Sequence, residues 1–265
     1  MTPLYDRPEV SRTYFFPRPG PPLPATADAA PMSLSLPDGT RLGGYWSRPL
    51  PAAPTLLYLH GNGEIIADQL DRWPTWAREA GANIFFVDYP GYATSGGEPC
   101  FGACRQAAAA ALAWLLDQEV RVILAGRSVG SIFALDTAAS APEQVRGLWL
   151  ESGVADLTQR LALRWPAIAA GSGGDIDRRA LEAEVARDFD HRAKLTGLRC
   201  PVLVLHTRDD DLIPCWHGER LARWAGENLL HLELFSRGDH NTIQWVNGEA
   251  YPGLLARLVR AATRE

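Results

Sequence analysis

Apolar residues in this chain fall mostly into short continuous runs, separated by glycine- and proline-containing turns and by longer stretches whose apolar positions recur at helical spacing. The runs at 56–59, 83–87, 120–125, 145–150, 202–205 and 229–234 have the length and composition of strands buried on both faces. Between them, residues 66–80, 102–116, 131–139 and 217–224 read as helices, and residues 245–262 predict a closing helix. Strands alternating with helices imply right-handed crossovers and a mostly parallel sheet covered on both faces, so the fold class is α/β. Upstream, residues 32–36 and 41–47 alternate around Pro37-Asp38-Gly39-Thr40, a turn sequence that predicts an antiparallel N-terminal hairpin.

Two segments break this rhythm. Residues 1–30 read as a proline-rich arm, extended over the domain from Tyr14 onward because prolines at 17, 19, 21, 22, 24 and 31 exclude a helix there. Residues 31–265 then form one domain. Between 152 and 190 no strand pattern occurs, and Gly171-Ser172-Gly173-Gly174 separates two helix-like pieces. An insertion at the carboxyl end of a strand lies over the binding crevice of such a sheet, so residues of about 153–190 are expected to form a small lid. The alternative is an excursion that touches no ligand.

Composition narrows the function classes. A length of 265 residues suits a single large domain, and 46% hydrophobic with 22% charged residues excludes disordered and fibrous classes. The net charge of −5 speaks against nucleic acid as a partner, and Lys194 is the only lysine. No apolar run reaches the ~18 residues of a membrane span, and the polar opening lacks the apolar centre of a signal peptide, so the expected location is the cytoplasm. Cys100, Cys104, Cys200 and Cys215 show neither a CxxC pair nor zinc spacing and are expected to be reduced, structural thiols. No metal or cofactor is called for, and oligomeric state is not legible.

The chemistry centres on Gly126-Arg127-Ser128-Val129-Gly130, between a strand and a helix. A serine on such a turn projects above the sheet, the helix N-terminus faces charge developing beside it, and the flanking glycines avoid clashes with the neighbouring strand and helix. A serine hydroxyl needs a base and a carboxylate to orient that base. His240, in the loop after the last strand, is the expected base. His206, His217, His231, His191 and His60 are each explained more simply as structural. For the acid, Asp209-Asp210-Asp211 follows a strand, and Asp210 is chosen because Leu212-Ile213-Pro214 must turn back into the core. Asp209 and Asp211 then face solvent or cap the loop, and Asp239 is too close in sequence to His240 to reach its imidazole.

An oxyanion needs two backbone donors. One is the amide of Val129, and the other is expected from Asn62 in the turn His60-Gly61-Asn62-Gly63-Glu64. Asp88, opening Asp88-Tyr89-Pro90-Gly91-Tyr92, is expected to be buried and to tie down that glycine-rich loop, which lacks the lysine of a phosphate-binding loop. Lid residues Leu157, Leu161, Leu163 and Trp165 suggest either an apolar acyl pocket or the lid's own core.

With these motifs in order (HGNGE at 60–64, DYPGYATSGG at 88–97, GRSVGS at 126–131, DDLIP at 210–214 and GDHN at 238–241), the chain resembles the α/β-hydrolase superfamily, and within it the compact branch that includes the protein depalmitoylases and related bacterial esterases. The resemblance implies Ser128 as nucleophile, Asp210 as acid, His240 as base, Asn62 and Val129 as oxyanion donors, no cofactor, and a small-molecule ester or acyl substrate. Two departures stand out: residues 152–190 look longer than the minimal connection of the depalmitoylases, and no cysteine-rich amino terminus is present. Besides a carboxylesterase or thioesterase, two alternatives remain. One is a serine peptidase of the same fold, with Glu182 and Glu184 as candidate readers of a free amino terminus. The other is a binding protein that keeps the fold without catalysis.

Overall fold

Eight strands, β1 (Ala29–Ser35), β2 (Arg41–Ser47), β3 (Thr55–Leu59), β4 (Asn83–Val87), β5 (Val122–Arg127), β6 (Val145–Glu151), β7 (Val202–Thr207) and β8 (Leu229–Phe235), form one sheet in the computed structural model, which describes residues 2–264. Their order is β1-β2-β4-β3-β5-β6-β7-β8. The hairpin β1–β2 is antiparallel and joins β4 antiparallel; every other neighbouring pair is parallel. Successive strand residues point to opposite faces, so Leu57, Leu59, Phe85 and Leu124 enter one core while Leu56, Tyr58, Phe86 and Ile123 enter another. That double burial is why these strands read as continuous apolar runs.

The helices are α1 (Pro8–Tyr14), α2 (Trp73–Glu79), α3 (Phe101–Asp117), α4 (Gly130–Ser140), α5 (Leu157–Ala162), α6 (Trp165–Ser172), α7 (Arg178–Asp188), α8 (His191–Thr196), α9 (Trp216–Ala225), α10 (Ile243–Asn247) and α11 (Tyr251–Ala262). Helices α3, α4 and α9 cover the first core, and α2 and α11 the second. Among the described residues, no helix is long and apolar enough to cross a membrane.

Several boundaries differ from the sequence reading, each for a local reason. Residues 66–80 are not one helix: Asp68 accepts a hydrogen bond from Ile65 N at 3.0 Å and closes a single turn, and Pro74 starts α2 afresh. The closing helix splits into α10 and α11 around Gly248, with Pro252 in the first turn of α11. Strand β5 runs two residues later than expected, because Glu119, at φ 58°, turns the chain before it. The lid holds three helices, α5, α6 and α7, rather than two pieces. Ahead of the extended stretch, residues 4–15 pack into the body of the protein, with Tyr5, Val10, Tyr14 and Phe15 buried in the first core. Tyr14 and Phe15 pack with ring centroids 4.9 and 5.0 Å from Phe101.

The chain's entry into the lid is held by two buried histidines. His191 Nδ1–H donates to Val154 O at 2.8 Å, and His217 Nδ1 accepts from Ala155 N at 3.1 Å. Protonating His217 would set two donors against each other, and protonating His191 would bury a charge on Nε2, which has no partner. Burial first, then the nearby charges of Lys194 and Arg160, depress these imidazoles to about 4 for His191 and about 3 for His217.

Both folded values lie below the ordinary 6.5, so the unfolded chain binds more protons as pH falls. Stability is therefore expected to be flat above pH 6.5 and to drop from there toward pH 4, with a slope contributed by these two groups of up to about 2.7 kcal/mol per pH unit. Urea unfolding across that window measures it, and the His217→Gln variant should show a shallower slope.

The two elbow glycines allow a second test. A Cβ on Gly126 would meet Ser131 Cα at 2.7 Å, and one on Gly130 would meet His60 O at 2.6 Å. Gly130→Ala should cost about 3 kcal/mol or more in denaturant unfolding. Gly253→Ala, in α11 with nothing within 4 Å of the new methyl group, should stabilise by about 0.5 kcal/mol.

Candidate active site

Ser128 follows directly on β5 with φ 53°, a conformation costly for a residue with a side chain, and its amide donates to Glu151 O at 2.9 Å. The turn aims Oγ at His240 Nε2, 3.0 Å away, and His240 Nδ1 lies 2.7 Å from Asp210 Oδ2. A carboxylate only accepts, so Nδ1 carries the proton and the bare Nε2 faces the serine hydroxyl. All three residues are buried.

Asp210 is the one carboxylate of its acidic turn that points inward; Asp209 and Asp211 are exposed. Its Oδ1 accepts from Ile213 N at 2.7 Å and Leu212 N at 3.1 Å. Its Oδ2 also lies 3.2 Å from His206 Nε2, which donates to Ile213 O at 2.7 Å. Burial alone would raise the Asp210 pKa, but the hydrogen bonds from His206 and His240 outweigh it and hold the carboxyl well below the usual range. His206, read from sequence as a partner of the loop, orients the acid itself. Asp239 caps its own turn, accepting from Asn241 N and Thr242 N at 2.9 Å each.

Val129 and Asn62 line one cavity with Ser128 and His240. Among the described residues, neither backbone amide meets an acceptor. The Asn62 side chain is locked from the N-terminal segment: Oδ1 accepts from Phe16 N at 2.9 Å and Tyr92 Oη at 2.8 Å, while Nδ2 donates to Tyr14 O. The preceding His60 braces the turn, with Nδ1–H donating to Gly61 O at 2.8 Å. Asp88 is buried as expected, but its side chain accepts from Ile66 N at 2.9 Å and so secures the turn after β3. Its main-chain carbonyl accepts from Ser95 Oγ at 2.8 Å and secures its own loop.

Arg127 is a residue the sequence reading passed over. It is buried beneath the elbow, pairs with Glu64 and with Glu151 (Nε to Oε1, 3.2 Å), and donates from Nη2 to the His240 carbonyl. Gln244 Nε2 donates to the same Glu151 oxygen at 2.8 Å. Burial works against the charge, but the two carboxylates prevail and raise the Arg127 pKa, while Glu151 is itself raised by burial. A charged residue directly after an apolar strand run, between Gly126 and Ser128, was the available signal.

The lid contributes differently from either sequence alternative taken alone. Leu157 and Leu161 are buried in the first core, Trp165 packs against it and Leu163 is 60% exposed, so none of the four lines the cavity. The lid residues that do are Val154, Arg160 and Arg164. Among the described residues, no three His, Cys, Asp or Glu side chains converge to hold a metal ion.

No protein-family model matches the chain. It is 26% identical over 224 residues to the alpha/beta hydrolase domain-containing protein WAV2 of Arabidopsis thaliana, covering 81% of this chain and 73% of that protein. Protein bem46 of Schizosaccharomyces pombe is 24% identical over 192 residues, 71% of this chain and 62% of its own. Among solved structures, the Pyrococcus furiosus esterase Pf2001 superposes with a TM-score of 0.69 at 15% identity, covering 93% of this chain and 97% of the other. An esterase from Pyrobaculum calidifontis gives 0.68 at 20% identity, covering 91% and 88%. Sheet order, elbow and these likenesses agree, and the chain has the α/β-hydrolase fold.

Proposed function

We propose that the protein is a serine hydrolase that cleaves carboxylic ester or thioester bonds through a covalent acyl-enzyme. The observation carrying this reading is the relay from Ser128 Oγ to His240 Nε2 at 3.0 Å and from His240 Nδ1 to Asp210 at 2.7 Å. His240 takes the Ser128 proton as Oγ bonds to the acyl carbon, and returns it to the departing alcohol or thiol as that bond breaks. The amides of Asn62 and Val129 receive the oxyanion, each donor being worth about 3 kcal/mol in the transition state. Water, deprotonated by His240, then attacks the acyl-enzyme and releases the acid and the free serine. Asp210, held ionised by His206 and two amides, steadies the imidazolium in both halves.

The peptidase alternative draws less support. Glu182 accepts from Arg178 at 2.8 Å and Glu184 from Leu4 N at 2.6 Å, both away from the cavity, whose lining includes no carboxylate. The fit of the relay also speaks against a binding protein without catalysis.

A fluorophosphonate probe should label the protein, with Ser128→Ala unlabelled; absence of label on the wild type would remove the hydrolase reading. Asp210→Asn should keep the fold and lower kcat by about ten-thousand-fold, since an amide favours the wrong imidazole tautomer. Steady-state rates on p-nitrophenyl esters and aminoacyl anilides separate the two enzyme readings: esters should turn over, and turnover of anilides alone would favour the peptidase.

A further inference from the structure

Resting on the hydrolase reading, we propose that the substrate is an ester carrying an anionic group, recognised by Arg160 and Arg164 of the lid together with the Tyr14 hydroxyl. The cavity beside Ser128 has a volume of 190 Å³, and its lining includes three arginines and no aspartate or glutamate. Arg127 is neutralised by Glu64 and Glu151. Arg160 and Arg164 have no carboxylate within 4.0 Å among the described residues, and their side chains donate no hydrogen bond there. The nearest buried acid, Asp210, sits behind the imidazole with both oxygens taken.

Arg160 is half-buried, and burial, with the charge of Arg164 adding to it, lowers its pKa. Tyr14 adds a neutral donor: burial pushes its phenol up to about 12, so it stays protonated, and its hydroxyl has no partner among the described residues. Two guanidinium forks and a phenol on one wall suit a carboxylate or phosphate oxygen cluster. The anchors stand on elements fixed from elsewhere. Arg160 lies on α5, whose entry His191 and His217 hold, and Tyr14 ends α1, packed on Phe101. The anion can belong to the acyl or to the alcohol part of the substrate.

The test compares kcat/KM for matched neutral and anionic esters. One arm sets p-nitrophenyl heptanoate against the p-nitrophenyl monoester of adipate, which charges the acyl end. The other sets butyrate esters of 4-hydroxybenzamide and 4-hydroxybenzoate, which charges the leaving group. The anionic member should be preferred at least tenfold in one arm, and the arm identifies the side that carries the charge. In Arg160→Gln/Arg164→Gln the ratio of anionic to neutral kcat/KM should fall tenfold or more, whatever the change on the neutral ester. If the double variant does not fold, Arg164→Gln, at an exposed position, should lower the ratio in the same direction.

Equal or better turnover of the neutral ester in both arms, by a protein that fluorophosphonate labels, would overturn this inference and leave the hydrolase reading standing. No turnover and no label would instead remove the hydrolase reading. The anion site is then read from adipate binding: a rise in Tm for the wild type but not for the double variant supports it, and no rise in either overturns it.

Discussion

A single buried guanidinium holds the parts of this site in register. Arg127 ends β5 immediately before the nucleophile and is enclosed below it, where an unpaired charge would cost several kcal/mol. Its partners come from three places: Glu64 from the turn after β3, Glu151 from the end of β6, and the His240 carbonyl from the loop after β8. The charge is satisfied only when the oxyanion turn, the elbow and the histidine loop are all in place. Ser128 can therefore keep its strained φ, because the surrounding bonds leave the backbone no easier arrangement.

The arrangement of Ser128, His240 and Asp210 was legible in sequence because its geometry is local. The glycines at 126 and 130 are demanded by neighbours one strand or one helical turn away, so the pentapeptide carries its own structural context. Asp210 could be singled out among three adjacent aspartates because Ile213 turns inward immediately after it, and its amide is one of the bonds that hold the carboxylate. Strand alternation with helices sufficed for the parallel sheet, since a strand, a helical pattern and the next strand follow one another along the chain.

What escaped the sequence depends on contacts between distant segments. Residues 4–15 look polar when read alone, and become structural only because Tyr5, Tyr14 and Phe15 meet Phe101, nearly a hundred positions later. His206 was visible as a strand-end histidine, but its proton on Nε2 gains meaning from Asp210 and Ile213 together. The apolar lid residues were ambiguous because periodicity says that a face is buried and not what buries it. Leu157 and Leu161 went to the core, while Arg160 and Arg164 of the same segment border the cavity.

This division separates chemistry from selection. The relay and the oxyanion amides sit on turns of the sheet, whose positions the α/β layering sets. Part of the cavity wall comes from the two segments outside that layering, the lid through Val154, Arg160 and Arg164 and the N-terminal segment through Tyr14 and Phe16. Asn62 joins the two, because it lines the cavity with Ser128 while its side chain is bonded to the Phe16 amide and the Tyr14 carbonyl. A change in the N-terminal segment thus reaches the turn at Asn62 directly. The N-terminal part of the cavity wall and the turn at Asn62 are mechanically coupled, although the residues concerned lie nearly fifty positions apart.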